Sequence, residues 1–393
     1  MQQTLPQQLK RIESIDLLKG LAMVIMALDH VRDYFHYSAN FFDPADPTQS
    51  NLPIFFTRWI THFCAPTFSF LAGLSAFMVG KRKSTTALSG FLFKRGLWLI
   101  FIELTIVGFA WFFDIHFRTF GLLTIWSLGV SMIVLSALVY LPRQFILVFS
   151  LLLIGGHNLL DNIHFNGNLL WEMIHEQSFF KLSDHTQLLI GYPVVPWIAV
   201  MALGYCFGPF YGKSYTAEKR KITFNLIGLS AIVLFVLLRF SNVYGDPVHF
   251  KQYGSFSKDI ISFLNPSKYP PSLLYVLMTL GAGLLFLANS ENLKGKLVNF
   301  FSTFGRVPFF YYILHLYAIH LLALLFAQLS GFGWQHMLLP TWIGFVPDMK
   351  GYGVSLWVVY VIWIGIILLL YPICKKFDHY KQRHKEKWWL SYL

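Results

Sequence analysis

The sequence predicts an all-α, polytopic transmembrane helix bundle of about ten spans with both termini cytoplasmic. Three observations carry that reading. Of 393 residues, 55% are hydrophobic and only 13% charged, about half the roughly 25% usual for soluble domains. Ten apolar stretches are each near the length that crosses a bilayer. The basic residues also sort by side. With the N-terminus inside, cytoplasmic segments collect 22 of the 31 Lys and Arg and the outer segments keep 9, as the positive-inside rule requires. Soluble enzyme, disordered chain and coiled coil are excluded, and the net charge of +12 marks orientation rather than nucleic-acid binding.

The stretches fall at about 15–36, 53–80, 92–113, 121–141, 143–158, 190–211, 222–240, 271–289, 301–328 and 353–374. The first follows Lys10 and Arg11 and carries Asp16 and Lys19 with no small-residue cleavage site, so it reads as a retained helix. The fifth is short and ends in Gly155, Gly156 and His157, so it stops below the surface or tilts. The segment 159–189 reads as amphipathic and interfacial, and with 37–52, 241–270 and 329–352 it forms an outer cap. The whole chain, 1–393, is one domain, with 1–14 and 375–393 as cytoplasmic ends. Cys64, Cys206 and Cys374 are dispersed and promise neither a disulfide framework nor a zinc site.

Ionisable groups inside spans are costly and point to function. In the first helix Asp29, Arg32, Asp33 and His36 occupy i, i+3, i+4 and i+7, one helical stripe, with His30 on a neighbouring azimuth. Mutual neutralisation of Asp29 and Arg32 at the interface is the bland alternative. In the second, Arg58 and His62 share a face, and Pro66 removes one helical hydrogen bond and frees a carbonyl near His62. Glu103, His157 with Asp161, His315 and His320 are further buried candidates. His320 reads as structural, while for His315 packing and function are equally supported. Histidine can take a proton from a hydroxyl or amine and release it later. That suits acyl transfer, and equally proton-coupled transport. Walker A, Rossmann, nucleophile-elbow and zinc-protease motifs are absent, so phosphate recognition would fall to Lys81, Arg82, Lys83, Lys94 and Arg95, which orientation alone also explains.

The run Arg11-Ile12-Glu13-Ser14-Ile15-Asp16-Leu17-Leu18-Lys19-Gly20-Leu21-Ala22 resembles the signature R-x-x-S-L-D-x-L-R-G-L-A that opens the heparan-α-glucosaminide N-acetyltransferase family. Ala65-Pro66-Thr67-Phe68-Ser69-Phe70-Leu71-Ala72-Gly73 is similar to its second-helix motif. Weaker matches are Gly121 to Gly129, Tyr192 to Trp197 with Gly204, and Phe304-Gly305-Arg306-Val307-Pro308-Phe309-Phe310-Tyr311-Tyr312. The resemblance implies a membrane enzyme that takes acetyl from cytosolic acetyl-CoA and delivers it to a sugar across the bilayer. An asparagine of the family falls on His30. The family's catalytic histidine lies further along the following loop, where this chain offers His36 at a different spacing.

The expected activity is acetyl transfer to a hydroxyl or amine of an extracytoplasmic saccharide, in the cytoplasmic membrane of a bacterium. The expected catalytic group is His30, His62, Asp29, His36 and Arg32, with Asp29 orienting an imidazole. Lys81, Arg82, Lys83, Arg95 and Arg306 would hold coenzyme A, and Asp33, Arg58, His157 and Trp126 the acceptor. The partners are the lipid bilayer, the coenzyme A thioester and the saccharide; a homodimer is allowed by the aromatic faces, and neither metal nor nucleic acid is expected. The alternative is a proton-coupled transporter or flippase of a glycan or lipid intermediate, which should show internal repeats; none is visible.

Overall fold

The computed structural model describes residues 12–37, 42–165 and 167–391; Lys10 and Arg11 lie outside them. Helix α1 (Glu13–Phe35) has acids in its first turn and Arg32 in its last, matching the helix dipole. It ends where His36 turns extended, its N–H bonding the Arg32 carbonyl at 2.9 Å. Asn51 caps α2 (Leu52–Trp59), a 3-10 turn follows at Ile60–Phe63, and α3 (Cys64–Gly80) completes the bent rod. The bend has its cause in Pro66: four residues earlier the His62 carbonyl lacks its helical donor and takes the Tyr275 hydroxyl instead, at 2.6 Å.

Helix α4 (Thr85–Ile102), a π turn at Glu103–Val107 and α5 (Gly108–Phe112) form the next rod. Then come β1 (Thr119–Leu122), α6 (Thr124–Leu138) and α7 (Arg143–Gly156), the last extended by a 3-10 turn His157–Leu160. Helix α8 (Leu169–His175) and strands β2 (Ser178–Lys181) and β3 (Gln187–Ile190) precede α9 (Val195–Cys206). The remainder is α10 (Ala217–Ser241), α11 (Phe256–Leu264), α12 (Leu273–Ser290), α13 (Lys296–Arg306), α14 (Pro308–Leu329) and α15 (Leu356–Arg383).

Seven helical runs among the described residues are long and apolar enough to cross a membrane, and α6 and Val195–Tyr211 are shorter apolar runs. Helix α1, at 23 residues and about 35 Å, has the length but carries charges. The expected all-α polytopic bundle is therefore the fold. The fifth stretch, expected to stop below the surface or tilt, forms an 18-residue apolar run, Arg143–Leu160.

One element differs from expectation. The stretch 301–328 is two helices, because Val307, ahead of Pro308, leaves the helical region (φ −129°, ψ 49°). The segment 159–189, read as amphipathic and interfacial with no element assigned, holds a short helix and two strands, and residues 119–122 join them. The sheet order is β1-β3-β2, with Thr119 beside Gln187 in parallel register and Ser178 beside Ile190 in antiparallel register. Phe120, Phe179, Phe180 and β-branched Thr119 favour strands over helix.

Helices meet where glycine removes the side chain. A Cβ at Gly20 would stand 1.9 Å from the Phe301 carbonyl oxygen, and one at Gly305 1.9 Å from that of Asp16, so α1 and α13 touch backbone to backbone. Helices α3 and α9 do the same through Gly73 and Gly204. This is the small-residue packing of helices in lipid, and it places α1 centrally, against α3, α12, α13, α14 and α15.

Candidate active site

Two cavities open on opposite ends of the bundle. The first, of about 640 Å³, lies under the sheet and the loops at the far end of α1. The second, of about 550 Å³, lies at the end where α1 begins. Both are of ligand size. Helix α1 lines both: Lys19, Met23 and Met26 face the second, and Asp29, His30, Arg32 and Asp33 the first. Thr124, at the start of α6, and Tyr312, on α14, belong to both walls. From Met26 to His30 is four residues, about 6 Å of helix. The cavities meet there.

At the junction His30 faces His315, Nδ1 to Nε2, at 2.7 Å, and His315 Nδ1 stands 2.9 Å from the Tyr311 carbonyl oxygen. The carbonyl can only accept, so His315 Nδ1 carries the hydrogen. With His315 neutral, its Nε2 is a lone pair, and His30 Nδ1 must donate to it. The tautomer chain leaves the lone pair of His30 on Nε2, available to a substrate. The edge of the His30 ring packs on Trp111, centroids 4.7 Å apart, and Tyr311 stacks on His315.

Beside His30 runs an ion network. The Asp29 carboxylate pairs with Arg58 and, at 3.0 Å, with Arg32. Arg32 also reaches Asp33 at 2.5 Å, and Arg58 donates to the Tyr269 hydroxyl at 3.3 Å. Asp29, expected to orient an imidazole, is engaged by two guanidiniums; the imidazole of His30 is held by His315. Burial alone would push the Tyr269 phenol up, but the Lys268 ammonium and the Arg58 guanidinium more than offset it and hold it below the ordinary tyrosine range. Lys268 Nζ stands 5.1 Å from that ring. Trp111, Phe179, Tyr192, Trp342 and Phe345 supply aromatic walls to the same cavity.

The second cavity is mostly apolar, with Phe68, Phe91, Leu128 and Phe309 among its walls, and four basic residues: Lys19, Arg95, Arg306 and Lys381. Arg306 is held by Asp378 at 2.7 Å and by Thr303.

Of the residues singled out in the sequence, Asp29, His30, Arg32, Asp33 and Arg58 converge on one cavity and Arg95 and Arg306 on the other. His62 is buried behind the network, Nδ1 without a hydrogen-bond partner, and lines neither cavity. His36 falls off the stripe because α1 ends at Phe35; its ring packs on Tyr37. Lys81, Arg82 and Lys83 form an exposed turn outside the second cavity, though Lys83 lies over Phe91, which lines it. Trp126 is core: its backbone N–H donates to Glu103 at 3.2 Å. His157 lies apart, near His175. His320, read as structural, faces the Ala110 and Met337 carbonyls, both at 2.8 Å. Sequence reading missed Tyr269, Lys268, Thr124, Lys19 and Lys381 as site residues. Lys19 and Lys381 were visible only as orientation charges, and nothing in the sequence pairs the others with the first helix.

The catalytic region of heparan-alpha-glucosaminide N-acetyltransferase, as a family description, matches residues 11–242, more than half of the chain. The chain belongs to this family. The match takes in α1 to α10, hence His30, Arg58, Thr124 and Arg95, while His315 and Arg306 lie beyond it. A search of curated proteins finds no match. Membership in the acetyltransferase family, with apolar helices of spanning length, makes the chain an integral membrane protein of an acyltransferase family.

Proposed function

We propose that this protein transfers acetyl from cytosolic acetyl-CoA to a hydroxyl or amine of a saccharide on the far side of the cytoplasmic membrane of a bacterium. The observation that carries this is the meeting of two unlike cavities at Thr124 and Tyr312 beside His30. One is apolar with basic residues, suited to the acyl-pantetheine arm and phosphates of coenzyme A. From Lys19 to His30 is eleven residues, about 16 Å of helix, a span that an extended phosphopantetheine arm bridges. The other carries carboxylates, guanidiniums and aromatic rings, the groups that bind sugar hydroxyls and stack on sugar faces. A carrier moving one solute needs like surfaces along its path; these surfaces differ, which favours transfer over transport.

In the reaction His30 Nε2 removes the proton from the acceptor hydroxyl or amine as its oxygen or nitrogen attacks the thioester carbonyl. Arg58, fixed by Asp29 and Tyr269, faces the developing oxyanion. The carbon–sulfur bond breaks, and the proton held by His30 passes to the departing thiolate, giving free coenzyme A. His315 stabilises the imidazolium and holds the ring in place. An acetyl-imidazole on the same Nε2 would use the same lone pair in two steps. In this reading the basic cavity and both termini are cytoplasmic, in a ten-span chain forming one domain, 1–393.

The test is purified protein in proteoliposomes with radiolabelled acetyl-CoA outside and a panel of saccharides enclosed. Label appearing on an enclosed sugar supports the reading. If coenzyme A neither binds nor is released with any acceptor, the reading fails. A burst of free coenzyme A without acceptor selects the acetyl-histidine route.

A further inference from the structure

A second cluster stands away from both cavities. His157, in the 3-10 turn after α7, Asp161, and His175, the last residue of α8, each offer a donor atom, and these atoms lie within 4.8 Å of one another. Both histidines are 2% exposed. Neither ring nitrogen of His157 completes a hydrogen bond, and His175 Nδ1 has no partner. His175 Nε2 faces Asp161 Oδ1 at 3.0 Å. A buried imidazole without a partner is costly, and His157, converging with His175 on the Asp161 carboxylate, completes a donor set for a metal.

We propose that His157, Asp161 and His175 bind a divalent transition metal of the zinc class. Two imidazoles and a carboxylate suit zinc, which accepts three protein ligands with solvent in the fourth position. Tetrahedral bonds of 2.0–2.1 Å place donors about 3.4 Å apart, so a small contraction of the side chains closes the site. The surrounding groups match what metal ligands require. Asn158 Nδ2 donates to Asp161 Oδ2 at 2.8 Å, and Asn158 Oδ1 accepts from the Leu273 N–H at 2.9 Å, so the carboxylate is aimed by a side chain itself fixed to α12. The Pro271 backbone lies beside the His157 ring. Binding through His175 Nε2 replaces its contact with Asp161 and leaves the ring hydrogen on Nδ1.

The consequence concerns the acceptor cavity. Gln177, Ser178 and Phe179 line it and begin two residues after His175. A metal joining His175 to His157 would fasten that wall to α7, positioning it without touching substrate.

The experiment uses the untagged full-length protein in detergent, stripped with a chelator, then titrated with Zn²⁺ by calorimetry and with Co²⁺ by visible absorption. One equivalent is expected, with a Co²⁺ spectrum of tetrahedral intensity and a reversible fall in melting temperature on stripping. H157A and H175A should lose the equivalent, N158A should bind at least about tenfold more weakly, and H164A, whose histidine pairs with Glu176 nearby, should keep it. Wild-type protein that takes up no stoichiometric metal overturns the proposal even if every variant fails to fold. So does one equivalent retained in both H157A and H175A.

Discussion

His30 Nδ1 donates to His315 Nε2 across 2.7 Å, joining the first helix to the fourteenth at the depth where the two cavities meet. Because the Tyr311 carbonyl fixes the hydrogen of His315, the pair presents one basic nitrogen rather than two. His30→Ala should therefore lower kcat by at least about a thousandfold, within the range of acid–base catalysis. His315→Ala should cost about a hundredfold, because the ring of His30 survives without its orienting partner. Acetyl-CoA affinity should hold in both. Steady-state kinetics with calorimetric binding checks this, and full activity in His30→Ala would remove it from the chemistry.

Lys19 and Arg95 line the second cavity, whereas Lys81 to Lys83 form an exposed turn outside it. Arg95→Ala and Lys19→Ala should each raise KM for acetyl-CoA about tenfold with kcat little changed, since each removes about 1.4 kcal/mol of ground-state binding. Lys81→Ala and Arg82→Ala should change KM less than twofold at physiological salt. An equal effect from the turn would move the phosphate site to the surface.

Thr124 is shared by both cavities, so bulk there should separate binding from transfer. Thr124→Leu should retain coenzyme A binding and the melting temperature while transfer falls at least tenfold, because misplacement by about 1 Å costs about a hundredfold. A variant as active as wild type would mean that the reacting groups meet elsewhere.

How much of this was legible beforehand follows from the range over which each signal acts. The Asp29, Arg32, Asp33 stripe and the carbonyl freed by Pro66 are local consequences of helical spacing and of a missing N–H, so they were readable. The partner of that carbonyl, Tyr275, lies 213 residues away, and His315 lies 285 from His30; no local pattern couples them. Asp29 was expected beside an imidazole because both are on the first helix, yet Arg58 from a neighbouring rod reaches it. His36 was placed on the stripe by assuming the helix continues one residue further than it does.

The glycine contacts give a stability test independent of chemistry. Gly20→Ala forces a Cβ against the Phe301 backbone oxygen at 1.9 Å, and backbone cannot move aside as a side chain can. Overpacking of this kind costs about 1–3 kcal/mol. Gly90→Ala, in α4 with nothing within 4 Å of its Cβ, should instead be neutral or gain up to about 1 kcal/mol from helix propensity. Thermal melting in detergent should therefore fall for the first and not for the second. Equal melting temperatures would mean that α1 and α13 are not in backbone contact.

Tyr269 provides a readout in the first cavity. Burial would raise its phenol, but Lys268 and Arg58 outweigh it and hold the group below the ordinary tyrosine range. Ionisation leaves a negative oxygen that both cations stabilise, so removing either raises the pKa. An ultraviolet difference titration should show one phenol ionising ahead of the rest, absent in Tyr269→Phe. In Lys268→Met the same step should move to higher pH, since the anion loses a neighbour that favours it. A step that moves to lower pH, or that persists in Tyr269→Phe, would show that Lys268 and Arg58 do not act on this hydroxyl. Arg58 would then lose the second anchor that aims it into the cavity, leaving Asp29 to hold it alone.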